Sequence, residues 1–167
     1  NRYIGRTFIM PNQQKRTSSI RRKLNPIPIE FDGKEVLLVD DSIVRGNTAR
    51  RIVEMAREAG AKKVYFAACC PPLVAPCPYG IDMATKKEFI ATNRSREDVR
   101  KQIGADYLMY LDRDAMNAAA RAGNPKIEKF CNACFTGEYP TGDVTVEQLL
   151  AIENDRDANR NEVSCGA

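Results

Sequence analysis

Apolar and polar positions fall in alternating blocks along this chain, and the blocks predict a repeating strand–helix order. Val36 to Val39 is a four-residue apolar run that ends on two acids, which predicts a short buried strand over 36–40. From Asn47 or Thr48 to Ala59 the apolar residues Ile52, Val53, Met55, Ala56 and Ala59 recur at helical spacing, and Gly60 is placed to end that helix. Residues 63–70 predict the next strand, stopped by Pro71 and Pro72. Pro76, Pro78 and Gly80 enforce a loop, and 84–90 predicts a short helix. Ser95 and Asp98 flank the start of another helix running to Ile103. Tyr107–Leu111 then predicts a strand, and 112–122 a helix ended by Gly123. The order strand–helix–strand–helix–strand–helix is that of an α/β fold, a parallel sheet with crossover helices.

The flanks carry weaker patterns. Residues 6–10 predict a strand stopped by Pro11, residues 11–23 a mobile polar loop, and Asn25-Pro26-Ile27-Pro28 an extended connector, so that 1–28 forms one basic loop-and-connector unit. A helix is expected over 145–152, with a disordered tail from Asn154, inside a C-terminal section 143–167.

Chemistry concentrates in residues 36–48, Val-Leu-Leu-Val-Asp-Asp-Ser-Ile-Val-Arg-Gly-Asn-Thr. Asp40 and Asp41 fall where the strand ends, and the loop Ser42–Thr48 opens the following helix. A helix N-terminus presents free N–H groups and a positive dipole end, which suits a phosphate. Paired carboxylates suit Mg²⁺ or sugar hydroxyls. Phosphoribosyl diphosphate (PRPP) brings a phosphate, hydroxyls and a metal-bound diphosphate together. The bland alternative is an ordinary α/β turn with an Asp cap, but adjacent acids repel unless a cation or donors offset them. The run lacks the Gly-Lys-Ser/Thr ending of a Walker A loop, and Gly46 is its one glycine, so it is no dinucleotide fingerprint. It resembles the PRPP-binding motif of type I phosphoribosyltransferases.

With 167 residues, 43% hydrophobic and 29% charged, the chain has the composition of a soluble domain with a real core. No stretch approaches the roughly 18 apolar residues of a membrane span, and no signal peptide is visible. A net charge of +4 is unevenly spread: no acid precedes Glu30, whereas Arg2, Arg6, Lys15, Arg16, Arg21, Arg22 and Lys23 do. Such a run could touch RNA, but Tyr3 and Phe8 are too few aromatics for base stacking, so no nucleic acid is expected. Six cysteines and no histidine restrict any transition-metal site to thiolates and carboxylates. A cytoplasmic setting, with reduced or metal-bound thiols, is expected.

Further segments carry a closer resemblance: residues 1–14, Arg21-Arg22-Lys23-Leu24-Asn25, Tyr79-Gly80-Ile81-Asp82 and Phe135-Thr136-Gly137-Glu138-Tyr139-Pro140. With the PRPP run they are similar to the C-terminal part of the glutamine phosphoribosyldiphosphate amidotransferases, over most of residues 1–142. The resemblance implies part of a type I phosphoribosyltransferase-like domain. It implies the first committed step of de novo purine (IMP) synthesis, in which PRPP and glutamine give 5-phosphoribosylamine, glutamate and pyrophosphate. Ammonia would come from an N-terminal glutaminase domain that this chain does not contain, and the opening of the phosphoribosyltransferase domain is also missing. Purine nucleotides as inhibitors and a homo-oligomer are implied as well. The alternative is a non-catalytic PRPP-sensing regulatory protein of the same fold.

Residue roles follow from chemistry and from the resemblance together. Loss of pyrophosphate leaves positive charge on the ribose, which fixed negative charge stabilises. Asp40 and Asp41 are the candidates, through ribose hydroxyls and Mg²⁺. Ser42, Gly46, Asn47 and Thr48 are expected to hold the 5′-phosphate through N–H and hydroxyl groups. Arg45 either faces the phosphate or forms an ion pair. By resemblance the basic loop closes over PRPP, with Tyr3, Ile9 and Pro11 along an ammonia path and Arg6 and Gln14 as loop contacts.

Cys131-Asn132-Ala133-Cys134 is a C-x₂-C pair, by itself open to zinc, iron–sulfur or redox chemistry. In family members carrying a [4Fe–4S] cluster, one Cys precedes the Tyr-Gly-Ile-Asp stretch and a C-x₂-C pair precedes Phe-Thr-Gly. Cys77, Cys131 and Cys134 match those positions, although Pro78 stands where an aromatic is usual. A cubane needs four thiolates, and the resemblance places the fourth upstream. Zn²⁺ held by the same three and a recruited Cys is the alternative. Cys69 and Cys70 end an apolar strand and are expected to be small buried residues, with Cys165 a free thiol.

Overall fold

The computed structural model describes residues 26–81 and 85–165, with side chains through Asp155. The expected strand at 6–10 and the basic loop lie outside the described residues. The first element corrects the reading of 25–28 as part of an extended connector. Ile27 is extended, as a residue before proline prefers, but Pro28 opens a helical turn, α1 (Pro28–Phe31). Proline fits the first helical position because its fixed φ suits the helix and its missing N–H would have had no partner there.

Three strands follow: β1 (Glu35–Asp40), β2 (Lys63–Ala68) and β3 (Tyr107–Tyr110). All pair in parallel in the order β1-β2-β3, with Val36 opposite Val64, Asp40 opposite Ala68 and Ala68 opposite Tyr110. The crossovers are α2 (Asn47–Glu58) and α3 (Arg96–Ile103). The helix start expected between Ser95 and Asp98 is present in α3, and the two residues form a capping box: the Asp98 N–H donates to the Ser95 hydroxyl at 3.2 Å. β2 stops at Ala68, two residues before its predicted end, although the Cys69 N–H still donates to the Asp40 carbonyl at 2.9 Å and so continues the pairing with β1 by one bond.

One face of the sheet makes the core. Val64, Phe66, Ala68 and Leu108 pack against Val53 and Ala56 of α2 and Val99 and Ile103 of α3. The opposite face carries Leu37, Val39 and Met109, which are 61%, 62% and 49% exposed. The apolar run of β1, expected to be buried throughout, is thus covered on one side by the described residues.

Beyond β3 the chain forms α4 (Arg113–Gly123), capped by the Asp112 carboxylate, then the unpredicted turn α5 (Ala133–Thr136), then α6 (Val146–Cys165). The helix predicted over 84–90 is a 3-10 turn at Lys86–Glu88. α6 continues through the stretch read as a disordered tail. Its twenty residues contain neither Gly nor Pro, so nothing in the backbone chemistry stops it before Gly166.

Candidate functional site

The carboxyl ends of the three strands are tied side by side. The Cys69 N–H reaches the Asp40 carbonyl, and the Leu111 N–H donates to the Ala68 carbonyl at 3.0 Å. In open α/β sheets this edge is where ligands bind. Asp40 ends β1 and is half-buried, and Asp41 is exposed beside it. The Asp41 N–H donates to Asp40 Oδ1 at 2.9 Å, and the Ser42 hydroxyl donates to Asp41 Oδ1 at 3.0 Å. Burial pushes the Asp40 carboxyl above its usual range, and the neighbouring Asp41 charge adds to this against the lowering effect of the Asp41 N–H. Two carboxylates in this arrangement favour a cation.

From Ser42 the loop is anchored by Ile43, which is buried in the main core. Gly46 takes a left-handed φ of 77° and caps α2 without a side-chain hydrogen bond. Its Cα backs directly onto Ile90, so a Cβ would overlap that side chain. Asn47 and Thr48 form the first helical positions, and no acid occupies the first turn of α2. The leading N–H groups of a helix have no acceptor within it, so this end has anion-binding character. Of the two readings of Arg45, the ion pair is the one present. Its Nε and one terminal nitrogen donate to the two Glu88 carboxylate oxygens at 2.6 and 3.0 Å.

The cysteines gather near the same edge. Val74 and Ala75 donate N–H bonds to the Cys134 carbonyl at 2.9 and 3.1 Å, which brings α5 against the loop leading to buried Cys77. The Tyr139 hydroxyl donates to the Pro76 carbonyl at 2.8 Å, and the Tyr79 and Tyr139 rings meet edge-on. Burial raises the Cys134 thiol, with Cys77 and Cys131 close enough to add to the effect. Burial also raises the half-buried Cys70 thiol to about 11. Cys69 is exposed, which corrects the reading of both as buried strand residues. Among the described residues no three metal-ligating side chains converge tightly enough to hold an ion. Tyr3, Arg6, Ile9, Pro11 and Gln14 lie outside the described residues.

No family model matches the chain. Among curated relatives, the amidophosphoribosyltransferase of Pasteurella multocida is 55% identical over 93% of this chain and 31% of its own length. That of Saccharomyces cerevisiae is 48% identical over 98% of the chain and 32% of its own length. The solved glutamine PRPP amidotransferase of B. subtilis, complexed with ADP and GMP, superposes with a TM-score of 0.68 at 46% identity, over 84% of this chain and 31% of that one. The chain belongs to the amidophosphoribosyltransferase family. It spans about a third of the length of the curated relatives it matches. It corresponds to the phosphoribosyltransferase portion of these amidophosphoribosyltransferases, and its parallel sheet is of the type I phosphoribosyltransferase fold. Among the described residues no helix is long and apolar enough to cross a membrane.

Within the loop 42–48, sequence reasoning missed the supports. Ile43 and Ile90 are apolar residues whose burial at the loop was not foreseen. Thr85 and Glu88 form a capping box around the 3-10 turn, with the Thr85 N–H donating to Glu88 Oε2 at 3.0 Å. The Thr-x-x-Glu spacing is a recognised helix-start signal and was available to find them.

Proposed function

We propose that this chain is the phosphoribosyl-transfer part of an enzyme that converts PRPP and glutamine to 5-phosphoribosylamine, pyrophosphate and glutamate. The observation that carries the reading is the acid pair at the end of β1, followed within six residues by a helix start with neither a side-chain cap nor a first-turn acid. The site is polarised in the way the reaction needs. As the bond from the anomeric carbon to pyrophosphate oxygen breaks, the ribose gains positive charge, the lone pair of ammonia forms the new C–N bond, and the resulting ammonium sheds one proton to solvent to leave the amine. Asp40 and Asp41 stabilise that charge through the ribose hydroxyls. The same pair would hold Mg²⁺, which supplies positive charge to the departing pyrophosphate. The N–H groups at the start of α2, with Ser42 and Thr48, bind and orient the 5′-phosphate. Closure of the basic segment 1–28, with Tyr3, Arg6 and Gln14 over the substrate, would exclude water.

Cys77, Cys131 and Cys134 are proposed as three of the four ligands of a [4Fe–4S] cluster. Support comes from the clasp of the Cys134 carbonyl by Val74 and Ala75, which brings the C-x₂-C turn to the Cys77 loop. Anaerobically purified full-length protein should be brown and contain iron. Stoichiometric zinc without iron would reject the cluster. Purine nucleotides as inhibitors, a homo-oligomer and a cytoplasmic location belong to the same proposal; the B. subtilis relative holds ADP and GMP.

The decisive experiment is calorimetric titration of the full-length protein with Mg-PRPP. Asp40→Asn and Asp41→Asn should each weaken binding and turnover. Wild-type binding and turnover in both variants would overturn the assignment.

A further inference from the structure

The loop 42–48, anchored in the core by Ile43, is braced along its middle by one further segment, residues 85–90. Three consecutive loop residues each meet residues 85–90. The Val44 carbonyl accepts the Ile90 N–H at 2.8 Å. Arg45 makes a two-point bond to Glu88, with the two side chains 16% and 30% exposed. Gly46 lies directly on Ile90. Glu88 is itself fixed, since its Oε2 also accepts from the Thr85 N–H at 3.0 Å and the Thr85 hydroxyl at 3.2 Å. A guanidinium held by both oxygens of a carboxylate has its fork and its charge already engaged. It is therefore matched to bracing the loop rather than to binding an anion.

We infer that Glu88, acting through Arg45, is a positioning residue for PRPP: it fixes the loop so that the N–H groups at the start of α2 hold the phosphate. This inference rests on the reading of 42–48 as the phosphate loop. It separates from that reading in what it predicts for Arg45. A guanidinium that touches phosphate directly is served by losing its carboxylate partner; a guanidinium that braces the loop is useless without it.

The test is a double-mutant cycle in the full-length protein, with Glu88→Gln, Arg45→Gln and the pair. Steady-state kinetics and Mg-PRPP titration are read beside amide exchange over residues 42–49. Each single variant should raise the KM for PRPP about tenfold, the scale of coupling in one hydrogen-bonded network. The kcat should fall much less, because the acids at 40 and 41 are untouched. The pair should be no worse than the more affected single variant, and exchange in the loop should quicken equally in all three. Glu88→Gln binding PRPP as well as or better than wild type, with Arg45→Gln much weaker, would make Arg45 a phosphate ligand and overturn the inference. Strictly additive losses, or an equal fall of kcat and kcat/KM with KM unchanged, would overturn it too. If the wild-type protein binds no Mg-PRPP, the functional reading fails. The brace then stands or falls on whether the exchange of 42–49 responds to both variants alike.

Discussion

Gly46→Ala tests the geometry of the loop at one atom. Gly46 has φ 77° and ψ −13°, and the added methyl falls within the Ile90 side chain, 3.3 Å from its Cγ1 and closer still to its end. Two costs are separable. Holding an L-residue in the left-handed region costs about 1 kcal/mol relative to glycine. Forcing a methyl into a packed core costs about 1–3 kcal/mol, and Ile90 has little freedom to yield because it is 2% exposed within the main cluster. Together they amount to about 2–4 kcal/mol, summed from those two terms. The appropriate assay is native-state amide exchange of α2 in the full-length protein, since it reads local opening without assuming that the whole chain unfolds as one unit. Ile90→Val removes the atom that the new methyl meets and alone costs about 0.5–1.5 kcal/mol. Combined with Gly46→Ala it should cost less than the sum, because the overlap is gone and only the backbone term persists. A change under about 0.5 kcal/mol in Gly46→Ala, the size of an ordinary surface substitution, would refute the close approach. So would simple additivity with Ile90→Val.

Other outcomes follow from single residues. Asp40 has a raised pKa in the folded protein, so the stability linked to it is fully present below its ordinary value of 3.8 and is lost as pH rises through the raised value. Asp40→Asn should therefore raise the thermal midpoint at neutral pH, with the gain fading toward pH 3.8, while Mg-PRPP binding is weakened; a lower midpoint at pH 7 would contradict this. Asp106 behaves oppositely: the Val64 N–H at 2.7 Å and Arg57 at 2.9 Å hold its carboxyl below 3.8, so its contribution is present above that value and lost on acidification. Asp106→Asn should flatten part of the acid limb of a stability–pH curve, and an unchanged limb would count against the pairing. Phe66→Ala empties the centre of the sheet–helix core, where Phe66 is 1% exposed, and should cost about 3–5 kcal/mol by denaturant titration. A loss below 1 kcal/mol would place Phe66 outside the core.

What the sequence disclosed depends on how far apart the interacting residues are. The β1–α2–β2–α3–β3–α4 order was readable because periodicity, glycine stops and the Ser95–Asp98 box all act within a few residues. The turn at Pro28–Phe31 was not, because paired prolines signal extension and helix entry equally well. The four-residue α5 is too short to show a period. Arg51 is 8% exposed and bonded to Glu54 and Glu58, a burial that its charge alone does not announce.

The acid pair itself was legible, since adjacent carboxylates at a strand end demand a chemical reason. Its support was not. Glu88 lies 43 residues from Arg45, and nothing in either local pattern links them. The same limit explains β1. A fully apolar run predicts burial on both faces, as parallel sheets require, yet Leu37 and Val39 stay exposed among the described residues. The pattern thus encodes a cover for that face which the described elements do not supply. Asp40 belongs to the covered face, in the alternation Val36, Leu38, Asp40. Half-buried on the helix side of the sheet, it owes its raised pKa first to that burial.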